Sequence, residues 1–183
     1  RQMKCFQELM RYHEHFEGFY FAPESTFTGE RDKARESFLR SLYGELFSEI
    51  KNLDSSLQIM MSPATFYYPD GQMSMMADAW NSLLDGVPLD IMAPQDAIGC
   101  NCITLEHQHE AYESWSAVCR AQNISLWANI EIFNLCEPFN NEYSRCPADP
   151  ERVIAQINNA SAFVDKMITW EALHYLSPKF GKQ

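Results

Sequence analysis

Five strand-length apolar runs alternate with helical segments along nearly the whole chain, and this alternation restricts the fold more than any other feature. The runs are Gly18–Ala22, Leu57–Met61, Leu89–Ala93, Ser125–Phe133 and Met167–Trp170. Each is short and apolar and is bounded by Pro, Gly, Asp or Asn, as a buried strand is. Between them, residues 32–52 carry Phe38, Leu39, Leu42, Leu46, Phe47 and Ile50 at helical spacing. Residues 72–85 repeat the pattern with Met76, Ala79, Trp80, Leu83 and Leu84, and residues 106–122 with Ala111, Trp115, Val118 and Cys119. A fourth helix is expected over 150–164, with Asp149 as N-cap, Pro150 at its first position and Val153, Ile154, Ile157 and Ala160 inward. Residues 1–17 read as an amphipathic helix ahead of the first strand. Strands separated by helices cannot be joined by hairpins, so the pattern demands an α/β fold with a mostly parallel sheet.

Two parallel architectures compete. A doubly wound nucleotide binder needs a glycine-rich first turn, and the seven glycines form neither GxGxxG nor GxxxxGK[ST]. A (β/α)8 barrel has eight units in about 250 residues. The 183 residues hold five units and no internal linker, so they are expected to form a single domain over 1–183. That domain would be a partial (β/α)8 TIM barrel, with three further βα units expected ahead of Arg1.

Composition narrows the function. Fourteen Lys and Arg stand against 25 Asp and Glu, a net charge of -11, which repels phosphate backbones and argues against a nucleic-acid partner. No run of 18 apolar residues is present, so no segment is expected to insert into a membrane. No metal or cofactor is expected. The Cys100-x-Cys102 pair lacks a second pair at zinc-site spacing. His13-x-His15 and His107-x-His109 do not place both rings on one helical face. Cys5 and Cys119 read as buried thiols, whereas Cys136 and Cys146 flank one loop and could form a disulfide.

In either parallel fold the site lies at the carboxyl ends of the strands. Polar residues recur there: Glu24 after the first run, Ser62 after the second, Gln95 and Asp96 after the third, Asn129 and Glu131 in the fourth, and Glu171 and His174 after the fifth. Asn129 and Glu131 alternate, so on one strand they share a face. Tyr67 and Trp170 add aromatic surface beside them. Carboxylates gathered on one rim repel, and at least one pKa should rise. A raised and an unraised carboxylate are what glycoside hydrolysis uses, and aromatic rings suit the apolar faces of sugars. Glu24, Asp96, Glu131 and Glu171 are the strand-end carboxylates from which such a pair could come. Ser62, Tyr67, Gln95, Asp96, Asn129, Trp170, Glu171 and His174 are the candidate substrate contacts. A sugar-phosphate isomerase or aldolase is disfavoured, because no glycine-rich phosphate loop and no strand-end Lys are present.

The segments FYFAPES, IMMSP, DIMAPQDAIG, LWANIEIF and ITWEALHYLSP together resemble a mainly bacterial family of glycosidase-like TIM barrels, domain of unknown function 4434. The resemblance spans nearly the whole chain, and PQDAIG and W-x-N-x-E-x-F are its most specific parts. It implies that the five strands are barrel strands four to eight. By analogy with retaining TIM-barrel glycosidases, it implies an acid/base at Glu24 and a nucleophile at Glu131. It also implies an extracytoplasmic location and a carbohydrate partner. Pro23 stands where such enzymes usually carry Asn before the acid/base, which keeps open an alternative: a non-catalytic, glycan-binding TIM-barrel domain.

Overall fold

In the computed structural model the described residues are 8, 12, 15–136, 145–170 and 172–176. The chain runs β1 (Gly18–Phe21), α1 (Lys33–Leu53), β2 (Gln58–Met61), α2 (Gln72–Leu84), β3 (Ile91–Met92), α3 (Leu105–Gln122) and β4 (Ser125–Asn129). It continues with β5 (Phe133–Leu135), β6 (Arg145–Pro147), α4 (Pro150–Ala160), β7 (Lys166–Ile168) and α5 (Ala172–Leu176). The expected helix over 1–17 lies largely outside the described residues.

Strands β1, β2, β3, β4 and β7 form one parallel sheet in that spatial order. Every step moves the same way across the sheet. Right-handed crossovers taken always in one direction leave all the connecting helices on one face. The packing agrees, since α1 lies against α2, α2 against α3 and α3 against α4. Beneath this helical layer, Tyr43, Phe47, Ile59, Met61, Met76, Leu84, Trp115 and Val118 form the main core. A second cluster, with Tyr112, Ala128, Ile130, Phe133, Ala160 and Tyr175, lies at the β4–β7 side.

Local chemistry explains the element boundaries. Asp32 caps α1 by accepting from Arg35 N at 2.9 Å, and Asp149 caps α4 by accepting from Glu151 N at 2.8 Å, with Pro150 at the first helical position. Asn123 ends α3 in the left-handed region, φ 55°. At the amino ends of the strands, the Asp90 carboxylate accepts from Lys51 Nζ and from Ile59 N, joining α1, β2 and β3.

Several sequence expectations need correction. The run Ser125–Phe133 is not one strand. The parallel ladder stops at Asn129, and Phe133–Leu135 leaves the sheet to pair antiparallel with Arg145–Pro147. This β5–β6 hairpin breaks the simple βα alternation, and Cys136–Cys146 closes it with a disulfide. Periodicity over the whole run could not show the break, because both faces of Ile130 to Phe133 are buried whichever sheet they serve. Two helical faces were also misassigned. In α1 the buried side carries Tyr43, Phe47 and Ile50, while Phe38 is 66% and Leu42 44% exposed. In α4 the buried residues are Gln156 and Ala160, while Ile154 and Ile157 face outward. Each helix offers two overlapping apolar stripes, and tertiary packing selects one.

Gly18 begins β1 where it runs against the β2 backbone, and a Cβ there would collide with the peptide of Gln58. Only glycine permits that approach. Gly18→Ala is expected to lower stability by about 1–3 kcal/mol, through displacement of the edge strand, as read by urea denaturation.

Candidate functional site

The carboxyl ends of the sheet open into a cleft of about 500 Å³. Tyr20, Glu24, Ala64, Phe66, Gln95, Cys100, Asn129, Glu131, Phe133, Arg145 and Trp170 line it. Glu24 and Glu131 thus share one cleft, with Glu24 exposed on the loop after β1 and Glu131 only 3% exposed in the segment after β4.

Glu131 is held by its surroundings on both main chain and side chain. Its N–H donates to Asp96 Oδ1 at 3.1 Å, and its carbonyl accepts from Gln156 Nε2 at 3.2 Å. Its Oε2 accepts from Cys100 N at 2.9 Å. The loop can come this close because residue 99 is glycine. A Cβ at Gly99 would sit 2.6 Å from the carbonyl oxygen of Phe133 and 3.0 Å from Glu131 Oε2. Burial raises the Glu131 carboxyl above its ordinary value, while the N–H groups of Cys100 and Gly99 and the Arg145 guanidinium oppose the rise.

Asp96 lies behind Glu131 and outside the cleft lining, 2% exposed. Its Oδ1 accepts from the main chain of Glu131, and its Oδ2 accepts from Gln108 Nε2 at 3.2 Å and Gln156 Nε2 at 2.5 Å. The carboxylate therefore joins β3, α3, α4 and the Glu131 segment. Desolvation by burial pushes its pKa up to about 7 against these donors. Arg152 of α4 completes this layer, with Nη2 donating to Phe133 O at 2.6 Å and to Glu131 O at 3.3 Å.

Asn129 is the polar floor of the cleft. Its Nδ2 donates to Ser62 Oγ at 3.0 Å, while its buried Oδ1 has no protein partner among the described residues. Gln95 reaches back to Ser62 O at 3.4 Å. Ser62, 1% exposed, thus supports the two amides rather than lining the cleft. One wall is aromatic: Trp170 lies edge-on to Phe133, centroids 5.8 Å apart, and the Arg145 guanidinium covers both rings at 4.6 Å (Phe133) and 5.1 Å (Trp170).

Of the candidate residues, the cleft gathers Glu24, Gln95, Asn129, Glu131 and Trp170. Tyr67 turns away and stacks on His107 with centroids 3.7 Å apart, and its neighbour Phe66 lines the cleft instead. His174 lies exposed on α5 beside the Tyr175 ring, outside the lining. Glu171 falls outside the described residues. Asn129 and Glu131 do reach one cleft, but through a chain that has left the strand rather than by strand alternation.

Sequence reasoning missed Arg145, Gln108, Gln156 and Arg152. A signal existed for Gln156, which sits at helical spacing with Val153 and Ala160 on an apolar stripe. Arg145 gave none beyond its place next to Cys146. Among the described residues, no group of three His, Cys, Asp or Glu side chains gathers to hold a metal ion, and no helix is long and apolar enough to cross a membrane.

Five parallel strands added in one direction under a single helical layer define the fold, and Glu24, Glu131 and an aromatic wall share the cleft at the carboxyl ends of the strands. The fold is similar to that of a putative alpha-L-fucosidase from Bacteroides thetaiotaomicron, with a TM-score of 0.73 and 18% identity. The match covers 94% of this chain and 54% of the other, so the chain spans about half the length of that protein. Residues 2–182 match the family Domain of unknown function (DUF4434), and the chain belongs to it. No curated protein matches at a significant level.

Two outcomes follow from the site's construction. Folded Asp96 keeps a proton between about pH 4 and pH 7 that the unfolded chain has released, so its contribution to stability falls as pH rises through that window. Asp96→Asn is expected to cost about 1–3 kcal/mol near pH 4.5, because the amide brings two N–H donors to the surrounding donors where the protonated acid brings one O–H, with a smaller deficit at pH 8, where the parent must bury an ionised carboxyl. Urea denaturation of both proteins across that range checks the slope. Replacing Cys136 and Cys146 by Ser is expected to lower stability by about 2–3 kcal/mol and to increase amide exchange in β5 and β6.

Proposed function

We propose that the chain is a single domain forming five βα units of a (β/α)8 barrel, and that this domain hydrolyses glycosidic bonds by a two-carboxylate, retaining mechanism. The observation that carries the proposal is the convergence of Glu24 and Glu131 on one cleft, beside aromatic walls and an unpartnered buried acceptor. The single helical layer supports the barrel reading, since a doubly wound sheet places helices on both faces.

Each residue then has a task. Glu131 attacks the anomeric carbon, held on target by the Cys100 N–H and by the Asp96-anchored main chain. Glu24, reached by solvent, protonates the departing oxygen and afterwards takes a proton from the incoming water. Asn129 Oδ1 accepts from a sugar hydroxyl, and Gln95 contributes a second amide. Phe66 and Trp170 stack on the apolar faces of the sugar. The Cys136–Cys146 disulfide suits an oxidising, extracytoplasmic compartment.

Glu131→Gln and Glu24→Gln are each expected to lower turnover by about 10²–10⁴-fold in a screen of glycan substrates, with ligand affinity largely retained. The acidic limb of the pH–rate profile should lie above the ordinary glutamate range, because the attacking carboxylate must be ionised and burial raises its pKa. Binding without turnover by the parent chain and both variants would instead establish a glycan-recognition barrel, the reading favoured by Pro23 before Glu24.

A further inference from the structure

Among the described residues, the cleft that holds Glu24 and Glu131 also holds the cation Arg145, and its placement is unusual for the chemistry proposed. The guanidinium is spread over the faces of Phe133 and Trp170, on a hairpin closed by the Cys136–Cys146 disulfide. Stacking of this kind leaves the N–H edge of the guanidinium free to donate in its own plane. The ion pairs among the described residues are Arg31–Glu36, Arg40–Asp85 and Lys51–Asp90, so no described carboxylate lies within ion-pair distance of Arg145.

Hydrolysis between two carboxylates passes through a transition state with positive charge on the sugar ring. A fixed guanidinium in the same cleft repels that charge. The repulsion is offset when the bound sugar carries its own anion against the guanidinium. Arg145 also favours the ionised form of Glu131 through space, but that influence acts equally on every substrate.

We propose that Arg145 forms a subsite for an anionic substituent, a carboxylate or sulfate group, so that the cleft selects acidic glycans over neutral ones. The inference rests on the carbohydrate reading of the cleft and names its substrate class. A forked guanidinium pairs with two oxygens of either group, and the aromatic platform fixes its orientation before the ligand arrives. Phe133 and Trp170 would meanwhile present their remaining surface to the sugar ring.

The test uses the full chain and matched pairs of oligosaccharides: uronate-containing against neutral, and sulfated against unsulfated, each with the same linkage. Calorimetric titration is expected to show at least about tenfold tighter binding of one acidic member than of its neutral partner, weakening as salt is raised. The pair that shows the preference distinguishes carboxylate from sulfate. Arg145→Met should reduce the preference to within about twofold, and Arg145→Lys should restore part of it. Unfolding curves of the variants, matched to the parent, exclude loss of the hairpin as the cause. Equal binding of acidic and neutral partners by the parent overturns the subsite but leaves the carbohydrate reading standing. A preference that survives in Arg145→Met also overturns it. Failure of every glycan, acidic or neutral, to bind overturns the carbohydrate reading and the subsite with it.

Discussion

The site depends on one buried carboxylate. Asp96 sits in the loop after β3 and accepts hydrogen bonds from the main chain of Glu131 and from the side chains of Gln108 and Gln156. Those donors come from α3, α4 and the segment after β4, which are distant in sequence. A buried carboxylate is tolerated only where several donors satisfy it, so its position and theirs are mutually fixed. The consequence reaches the cleft through the backbone, because the residue whose N–H meets Asp96 is the one whose side chain forms the candidate reactive group.

Around that anchor the chain uses close approach rather than bulk. Gly99 lets the loop after β3 pass against Phe133 and bring the Cys100 N–H to Glu131. The same loop holds Ala97 and Asn101 in the left-handed region, φ 55° and 61°, which shapes the turn that carries this donor. Beyond it the β5–β6 hairpin, closed by a disulfide, brings Arg145 over the aromatic wall. Acidic, aromatic and cationic groups thus meet from separate elements without any of them being adjacent in the chain.

The parallel sheet also explains why the cleft is where it is. With all crossover helices on one face, the loops at the carboxyl ends of β1, β2, β3 and β4 converge on one rim. Glu24, Gln95 and Glu131 belong to those loops and Asn129 ends β4, so all four share the cleft. The fold similarity to a putative alpha-L-fucosidase, at a TM-score of 0.73, agrees with this architecture.

The sequence by itself determined the alternation of strands and helices, the parallel sheet, and the rim on which polar residues collect. Apolar periodicity and capping residues are local signals, and α2, α3 and the Asp149–Pro150 start of α4 follow them closely. Tertiary structure decided what local pattern leaves degenerate. It chose between the two apolar stripes of α1, exposing Phe38 and burying Tyr43, and it ended β4 at Asn129 although burial continues through Phe133. It turned Asp96 from a candidate ligand contact into a buried anchor, and it turned Tyr67 onto His107. It also recruited Gln108, Gln156 and Arg145, whose roles depend on partners from other elements. Such roles are invisible in a sequence because a hydrogen bond or a stacked guanidinium is a property of two groups, and only the folded chain brings the second one within reach.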